Sequence, residues 1–165
     1  MAKGIFQKIS EGAMGLPQVA QTLGACILEV QPEIGTIRMA YEGRKAFTNP
    51  LGQIQGGIVA SMLDDTMALA LLSMLGENEF APTLELKVNF ISPARIGRLE
   101  GVGRVLSKGN SVCVVEGELR QGERLVAKST ATALIQRNTN LDFDSDRINK
   151  STPVDPPCIG SRPPR

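Results

Sequence analysis

Asn49-Pro50-Leu51-Gly52-Gln53-Ile54-Gln55-Gly56-Gly57-Ile58-Val59-Ala60-Ser61-Met62-Leu63-Asp64-Asp65 is the stretch whose reading decides the fold. Asn-Pro and Gly interrupt regular structure, so Asn49 to Gly52 reads as a loop. From Ile58 to Leu75 apolar residues dominate. The run predicts a helix from Gly56 to Leu75, stopped by Gly76 as a C-terminal cap. A helix that is apolar all round must be buried. At this length it spans roughly 30 Å, about the diameter of a small domain. It therefore needs a sheet wrapped around it or a partner pressed on it. Asp64 and Asp65 in its middle are costly unless hydrogen-bonded or paired. A conflict of this kind between pattern and burial marks a candidate site.

Outward from the helix the pattern is strand-like. Cys26, Leu28 and Val30 alternate with Ile27 and Glu29, and Ile37, Met39 and Tyr41 alternate with Thr36, Arg38 and Glu42. Two such runs around Pro32-Glu33-Ile34-Gly35 predict a hairpin. After the helix, Thr83–Ile91 alternates, with Leu84, Leu86, Val88 and Phe90 on one side. Leu99–Leu106, Val112–Leu119 and Arg124–Ile135 follow as strands. Lys108-Gly109-Asn110 reads as a tight turn, because Gly and Asn tolerate positive φ. Gln121-Gly122-Glu123 is a hairpin signal. One long helix with an antiparallel meander is an α+β fold. Three regions are expected: an N-terminal helix or loop extension over 1–24, a folded domain over 25–136, and a Pro-rich flexible tail over 137–165.

Composition excludes several functions. The 165-residue chain is 42% hydrophobic and 21% charged, with net charge +1. Bulk electrostatics therefore suggest neither nucleic acid nor a membrane surface as partner. With 4% aromatic residues and no Trp, base-stacking platforms are not expected. The absence of His removes Ser-His-Asp and Cys-His catalysis and His-ligated zinc. Cys26, Cys113 and Cys158 show no zinc spacing and no disulfide framework. No metal or cofactor is expected, and a reducing cytoplasm fits the cysteine usage. No secretory signal is read in the first 18 residues. The apolar run 58–75 approaches the length of a membrane span, but each Asp at its centre would cost about 2.5–3.5 kcal/mol in a bilayer.

The start of the helix carries chemistry of its own. Gly56 and Gly57 let a ligand approach the backbone closely. The first helical N–H groups have no intrahelical partner and stand at the positive end of the macrodipole. They suit an anion or a polarised carbonyl oxygen. Gln55 adds an amide donor. Asp64 lies about two turns further on, roughly 12 Å along the axis. One helix cannot bring both ends to one small reacting group. Two copies, antiparallel across a dimer axis, place Asp64 of one near Gly56 of the other. Close packing explains a Gly-Gly entry equally well. A buried Asp can be a plain hydrogen-bond acceptor. The helical period does not choose between Asp64 and Asp65. Met62, Leu63 and Met67 suit either an acyl pocket or plain core.

In these residues the chain resembles the hotdog-fold acyl-CoA thioesterases of the phenylacetic-acid-degradation type. The resemblance covers 25–135. It rests on Asn49, Gly52, Gln55-Gly56-Gly57, Asp64, Val88-Asn89-Phe90 and Pro93-Ala94-Arg95-Ile96-Gly97 in that order. It implies a five- or six-stranded antiparallel sheet wrapped around one central helix, in a dimer or a dimer of dimers. It also implies hydrolysis of an acyl-CoA thioester. Asp64 would be general base or nucleophile, favoured over Asp65 by its spacing from the position Gln55 fills. Thr83 would position the attacking water. The Gly56 N–H would polarise the thioester carbonyl from the opposite subunit, with Asn49 near the attacked carbon and Gly57 beside the substrate. Lys108-Gly109 would lie near the nucleotide phosphates, although a solvated hairpin lysine reads as well there.

The departure is Gln55, where most of the family has His. A Gln amide donates a hydrogen bond but carries no proton. The alternative to an enzyme is therefore a non-catalytic acyl-CoA-binding protein with the same core. A dehydratase on this fold fits poorly, because those enzymes use His.

Overall fold

A computed structural model describes residues 4–137. Two short N-terminal helices, α1 (Ile5–Ser10) and α2 (Gln18–Thr22), lead into β1 (Cys26–Gln31) and β2 (Thr36–Gly43). A 3-10 turn over Lys45–Phe47 precedes the long helix α3 (Gly56–Leu72). Then come β3 (Glu79–Phe80), β4 (Thr83–Phe90), β5 (Gly97–Lys108), β6 (Val112–Gln121), β7 (Arg124–Leu134) and β8 (Gln136–Arg137). Six strands form one antiparallel sheet in the order β1-β2-β5-β6-β7-β4. β3 and β8 make a separate two-stranded ribbon. The expected α+β hotdog architecture is present, with α3 lying across β5 and β6 and flanked by β2, β4 and β7.

The helix can sit this close because the strands beneath it lack side chains at three points. A Cβ at Gly103 would stand 2.8 Å from the Thr66 carbonyl oxygen, and one at Gly117 would stand 2.9 Å from Met67 Cγ. A Cβ at Gly101 would meet Thr66 Oγ1 at 2.5 Å. These glycines are there for close approach of backbone to helix. Around them Met39, Tyr41, Leu99, Leu119 and Val126 close the core on Val59, Met62 and Leu63. A second cluster gathers Met67 and Leu71 with Cys113 and Val115. Met62, Leu63 and Met67 are therefore fully buried core residues. The N-terminal residues Ile5, Phe6, Ile9 and Leu23 join the same core.

Three local expectations are corrected. The helix ends at Leu72, because its last turn tightens: Met74 N–H donates to Leu71 O at 2.9 Å and Leu75 N–H to Leu72 O at 3.2 Å. Gly76 is not a left-handed cap, and its N–H donates to Glu79 Oε2 at 3.0 Å. Neither Gly109 nor Asn110 has positive φ. Glycine is needed at 109 for space, since a Cβ there would lie 2.9 Å from the Val112 carbonyl oxygen. The Gly122 turn is as expected, with φ 59° at the first of two linking residues. The helix is also not enclosed all round. The sheet covers one side, while Gly57, Ser61, Asp64, Ala68 and Leu72, at helical spacing, form an open or half-buried stripe. The Pro-rich tail expected over 137–165 lies outside the described residues, apart from Arg137.

The Gly103 contact is with backbone, which cannot swing aside. Gly103→Ala is expected to destabilise the fold by roughly 1–3 kcal/mol, read as a lower denaturant midpoint at unchanged slope.

Candidate active site

The loop before α3 is tied at both ends. Asn49 Oδ1 accepts from Leu51 N at 2.9 Å and Gln53 N at 3.1 Å, an Asx turn that folds the loop on itself. Ile54 N–H donates to Ala94 O at 2.9 Å and Gln55 N–H to Phe47 O at 2.8 Å. The helix start is thereby anchored to the Pro93-Ala94 segment and the 3-10 turn. Gln55 is the N-cap: its Oε1 accepts from Gly57 N at 2.6 Å and from Ile58 N at 3.3 Å. Two of the orphan N–H groups expected to receive a ligand are thus already satisfied, the one on Gly57 included. A Cβ at Gly57 would stand 2.8 Å from Gln55 Oε1, so this glycine serves the cap. Among the described residues the Gly56 N–H has no hydrogen-bond partner. With its oxygen turned to the helix, the Gln55 amide presents its NH₂ outward as a further donor. The Phe90 ring covers Gly56, its Cζ 3.3 Å from where a Cβ would be.

Two turns along, the carboxylates occupy different environments. Asp64 is half-buried, and Thr83 Oγ1 on the edge strand donates to its Oδ1 at 3.0 Å. The fold therefore joins two residues 19 positions apart that the sequence singled out separately. Asp65 turns towards the sheet. Its Oδ2 accepts from Tyr41 Oη at 3.0 Å. Tyr41 Oη also lies 2.8 Å from Thr66 Oγ1, which donates to Met62 O at 2.7 Å. Burial raises the Asp65 carboxyl to about 6, against the lowering effect of the Tyr41 hydrogen bond and with help from the neighbouring Asp64 charge. Burial likewise pushes the Tyr41 phenol well above its ordinary range, so it stays protonated.

Both carboxylates open onto one cavity of about 290 Å³, whose walls are otherwise mostly apolar: Ala68, Leu72, Leu75, Phe80 and Val19 among them. The volume sits at the lower end of small-molecule sites. Lys108 and Gly109 are exposed and do not line it. Gly56, Gln55 and Asn49 do not line it either, as their distance along α3 requires. Sequence reading passed over Tyr41, Thr66 and the proton-holding character of Asp65. The available signal was the polar run Asp64-Asp65-Thr66 in an apolar helix, together with the single Tyr of the chain.

An antiparallel sheet wrapped on one long helix is the hotdog architecture. The sequence profile of the thioesterase superfamily matches residues 51–128. A candidate esterase of Saccharolobus solfataricus is 31% identical over 121 residues, covering 73% of this chain and 84% of that protein. The crystal structure of a phenylacetic acid degradation-related protein of Ralstonia eutropha, a candidate thioesterase, is 40% identical. It has a TM-score of 0.77 and covers 78% of this chain and 98% of that one. A thioesterase family protein of Silicibacter pomeroyi is 28% identical with a TM-score of 0.72, covering 81% and 99%. The chain belongs to the thioesterase superfamily, within the group that the phenylacetic-acid-degradation resemblance indicated. Among the described residues no helix is long and apolar enough to cross a membrane.

A carboxyl raised above its unfolded value binds its proton more tightly when folded, so its contribution to stability falls as pH rises. For Asp65 the loss runs from the ordinary 3.8 to about 6 and then levels off. It amounts to about 3 kcal/mol at most. Urea denaturation between about pH 4 and pH 8 is expected to show this decline in the wild type and to lose it in Asp65→Asn, which keeps an oxygen for Tyr41.

Proposed function

We propose that the protein hydrolyses an acyl-CoA thioester to free acid and CoA at a site shared by two copies of the chain. The observation that carries this reading is the Thr83–Asp64 hydrogen bond beside an apolar cavity. Asp64 held by Thr83 is oriented to take a proton from water, and the hydroxyl supplies a second contact for that water. The acyl group occupies the cavity beside Ala68, Leu72 and Phe80. The partner's helix start supplies the Gly56 N–H, with the Gln55 amide and the Asn49 loop next to it. There the macrodipole and an uncommitted donor stabilise the oxyanion as the carbonyl is attacked.

The need for a second copy follows from length. Gly56 and Asp64 are eight residues apart on one straight helix, about 12 Å, too far to serve one carbonyl. Strand β4 favours such an assembly. Among the described residues it is an edge strand bonded on one side only, and Leu84 and Phe90 near its two ends are 61% and 58% exposed. A long edge carrying apolar side chains is a template for pairing with another chain. An isologous contact of this edge with its twin gives a closed dimer. Gln55 replaces His without loss of the oxyanion contact, because polarising a carbonyl needs a donor and not a titrating group.

Free-thiol release from a panel of acyl-CoAs tests the reading. Asp64→Asn is expected to lower kcat by about 10²–10⁴. Gly56→Pro removes the N–H at the first helical position, where Pro is tolerated, and is expected to be comparably inactive. Refolding the two inactive variants together restores intact sites in mixed dimers, to about a quarter of wild-type activity if each site draws on both copies. No recovery on mixing, with dimers formed, would reject the shared site. Undiminished turnover by Asp64→Asn would reject its role.

A further inference from the structure

We propose that Asp65 is a second catalytic carboxyl: the general acid that protonates the departing sulfur. This rests on the thioester-hydrolase reading above. Cleavage of a thioester releases a thiolate, whose conjugate thiol has an ordinary pKa near 8.5, so it leaves more readily when a proton is supplied. The chain has no His to supply it. Asp64 is engaged in taking a proton from water, and Gln55 has none to give.

Asp65 meets the geometric requirements. It lines the same cavity as Asp64. Its Oδ2 is fixed by Tyr41 Oη at 3.0 Å. Among the described residues its Oδ1 has no hydrogen-bond partner and no buried side-chain oxygen or nitrogen lacks one, so Oδ1 is not sealed in the core, and Asp65 meets open space at the cavity it lines. With Oδ2 accepting from the phenol, the acid proton belongs on Oδ1, facing the substrate. The Thr66 hydroxyl, 2.8 Å from Tyr41 Oη, is then left to donate to the phenol or to the Met62 carbonyl, and it holds the phenol on station.

The electrostatics agree. From β2 the titratable group facing Asp65 is Tyr41, and from α3 it is Asp64. Among the described residues no lysine or arginine lines the cavity. Desolvation and the Asp64 charge both favour the protonated form. A carboxyl whose environment keeps its proton, beside a second carboxyl in the same cavity, is a pattern of paired acid and base.

The step balances. The water oxygen bonds to the thioester carbon while Asp64 takes a water proton. The C–S bond breaks with its electron pair on sulfur, and the Asp65 Oδ1 proton passes to that sulfur. Free acid and free thiol leave. One proton then returns from Asp64 to Asp65 through water, and nothing is consumed beyond the water.

The test compares two thioesters of the same acyl group. One is the CoA ester, with an alkyl thiol leaving group. The other is the nitrothiophenyl ester, whose thiolate leaves without protonation. Asp65→Asn is expected to lower kcat/KM for the CoA ester by about 100-fold or more and to lower the aryl ester far less. In the wild type, kcat/KM for the CoA ester should fall as pH rises through about 6 and the acid is lost, and the aryl ester should lack that limb. Tyr41→Phe removes a hydrogen bond that favours the carboxylate, so the limb should move to higher pH. Equal losses on both esters in Asp65→Asn, no loss on either, or an unmoved limb in Tyr41→Phe would overturn the proposal. Should the wild type cleave neither ester, the hydrolase reading itself fails. Should Asp64→Asn abolish both while Asp65→Asn spares both, only the role of Asp65 falls.

Discussion

The close approach of α3 to strands β5 and β6 is the contact on which the other features depend. Thr66 rests over Gly101 and Gly103, and Met67 rests over Gly117. At that separation the Thr66 and Asp65 side chains both reach the hydroxyl of Tyr41 on β2. A helix held further out by side chains would lose this network, and the carboxyl would return to water. Protein interiors are close-packed, so the missing Cβ atoms convert directly into position. The energy lost by placing glycine in strands is set against a helix fixed in depth and rotation.

With depth and rotation fixed, the polar run of the helix divides by angle. Consecutive helical residues point about 100° apart. Asp65 faces the sheet and is desolvated. Asp64 faces the edge strand and is held by Thr83. Thr66 faces the core and spends its hydroxyl on Tyr41 and on its own helix. Three adjacent polar residues thus acquire three environments without any loop rearrangement. A rigid helix is a better platform than a loop for groups that must stay in register.

The opposite end of the same helix is organised by a different device. Gln55 caps two N–H groups through its oxygen and leaves that of Gly56 uncommitted. The Gln55 side chain, next to the Gly56 donor, is therefore part of the helix terminus itself. That arrangement orients the amide without any second residue to hold it, and it selects one backbone donor from several. The open stripe of α3, the exposed apolar ends of β4 and the separation of donor from acid are all consequences of a single helix crossing one sheet.

Much of this was legible in the linear chain. The two-residue period of Cys26–Val30, Ile37–Tyr41 and Thr83–Ile91, the apolar run after Gly56 and the Gly122 turn are local signals. Local patterns suffice because strand and helix periodicity are properties of the backbone. The ordered elements from Asn49 to Gly97 pointed to the hotdog class for the same reason. The helix end at Leu72, the space requirement at Gly109, the capping role of Gln55 and the Tyr41–Asp65–Thr66 network were not legible. Each depends on which distant atoms arrive within about 3 Å. A sequence records residue types and spacing along the chain. The free energy of a buried proton is set across it, by desolvation and by hydrogen bonds between residues far apart in order. The helix and its acids are therefore written in the chain itself, while which acid keeps its proton was decided only when the sheet closed over it.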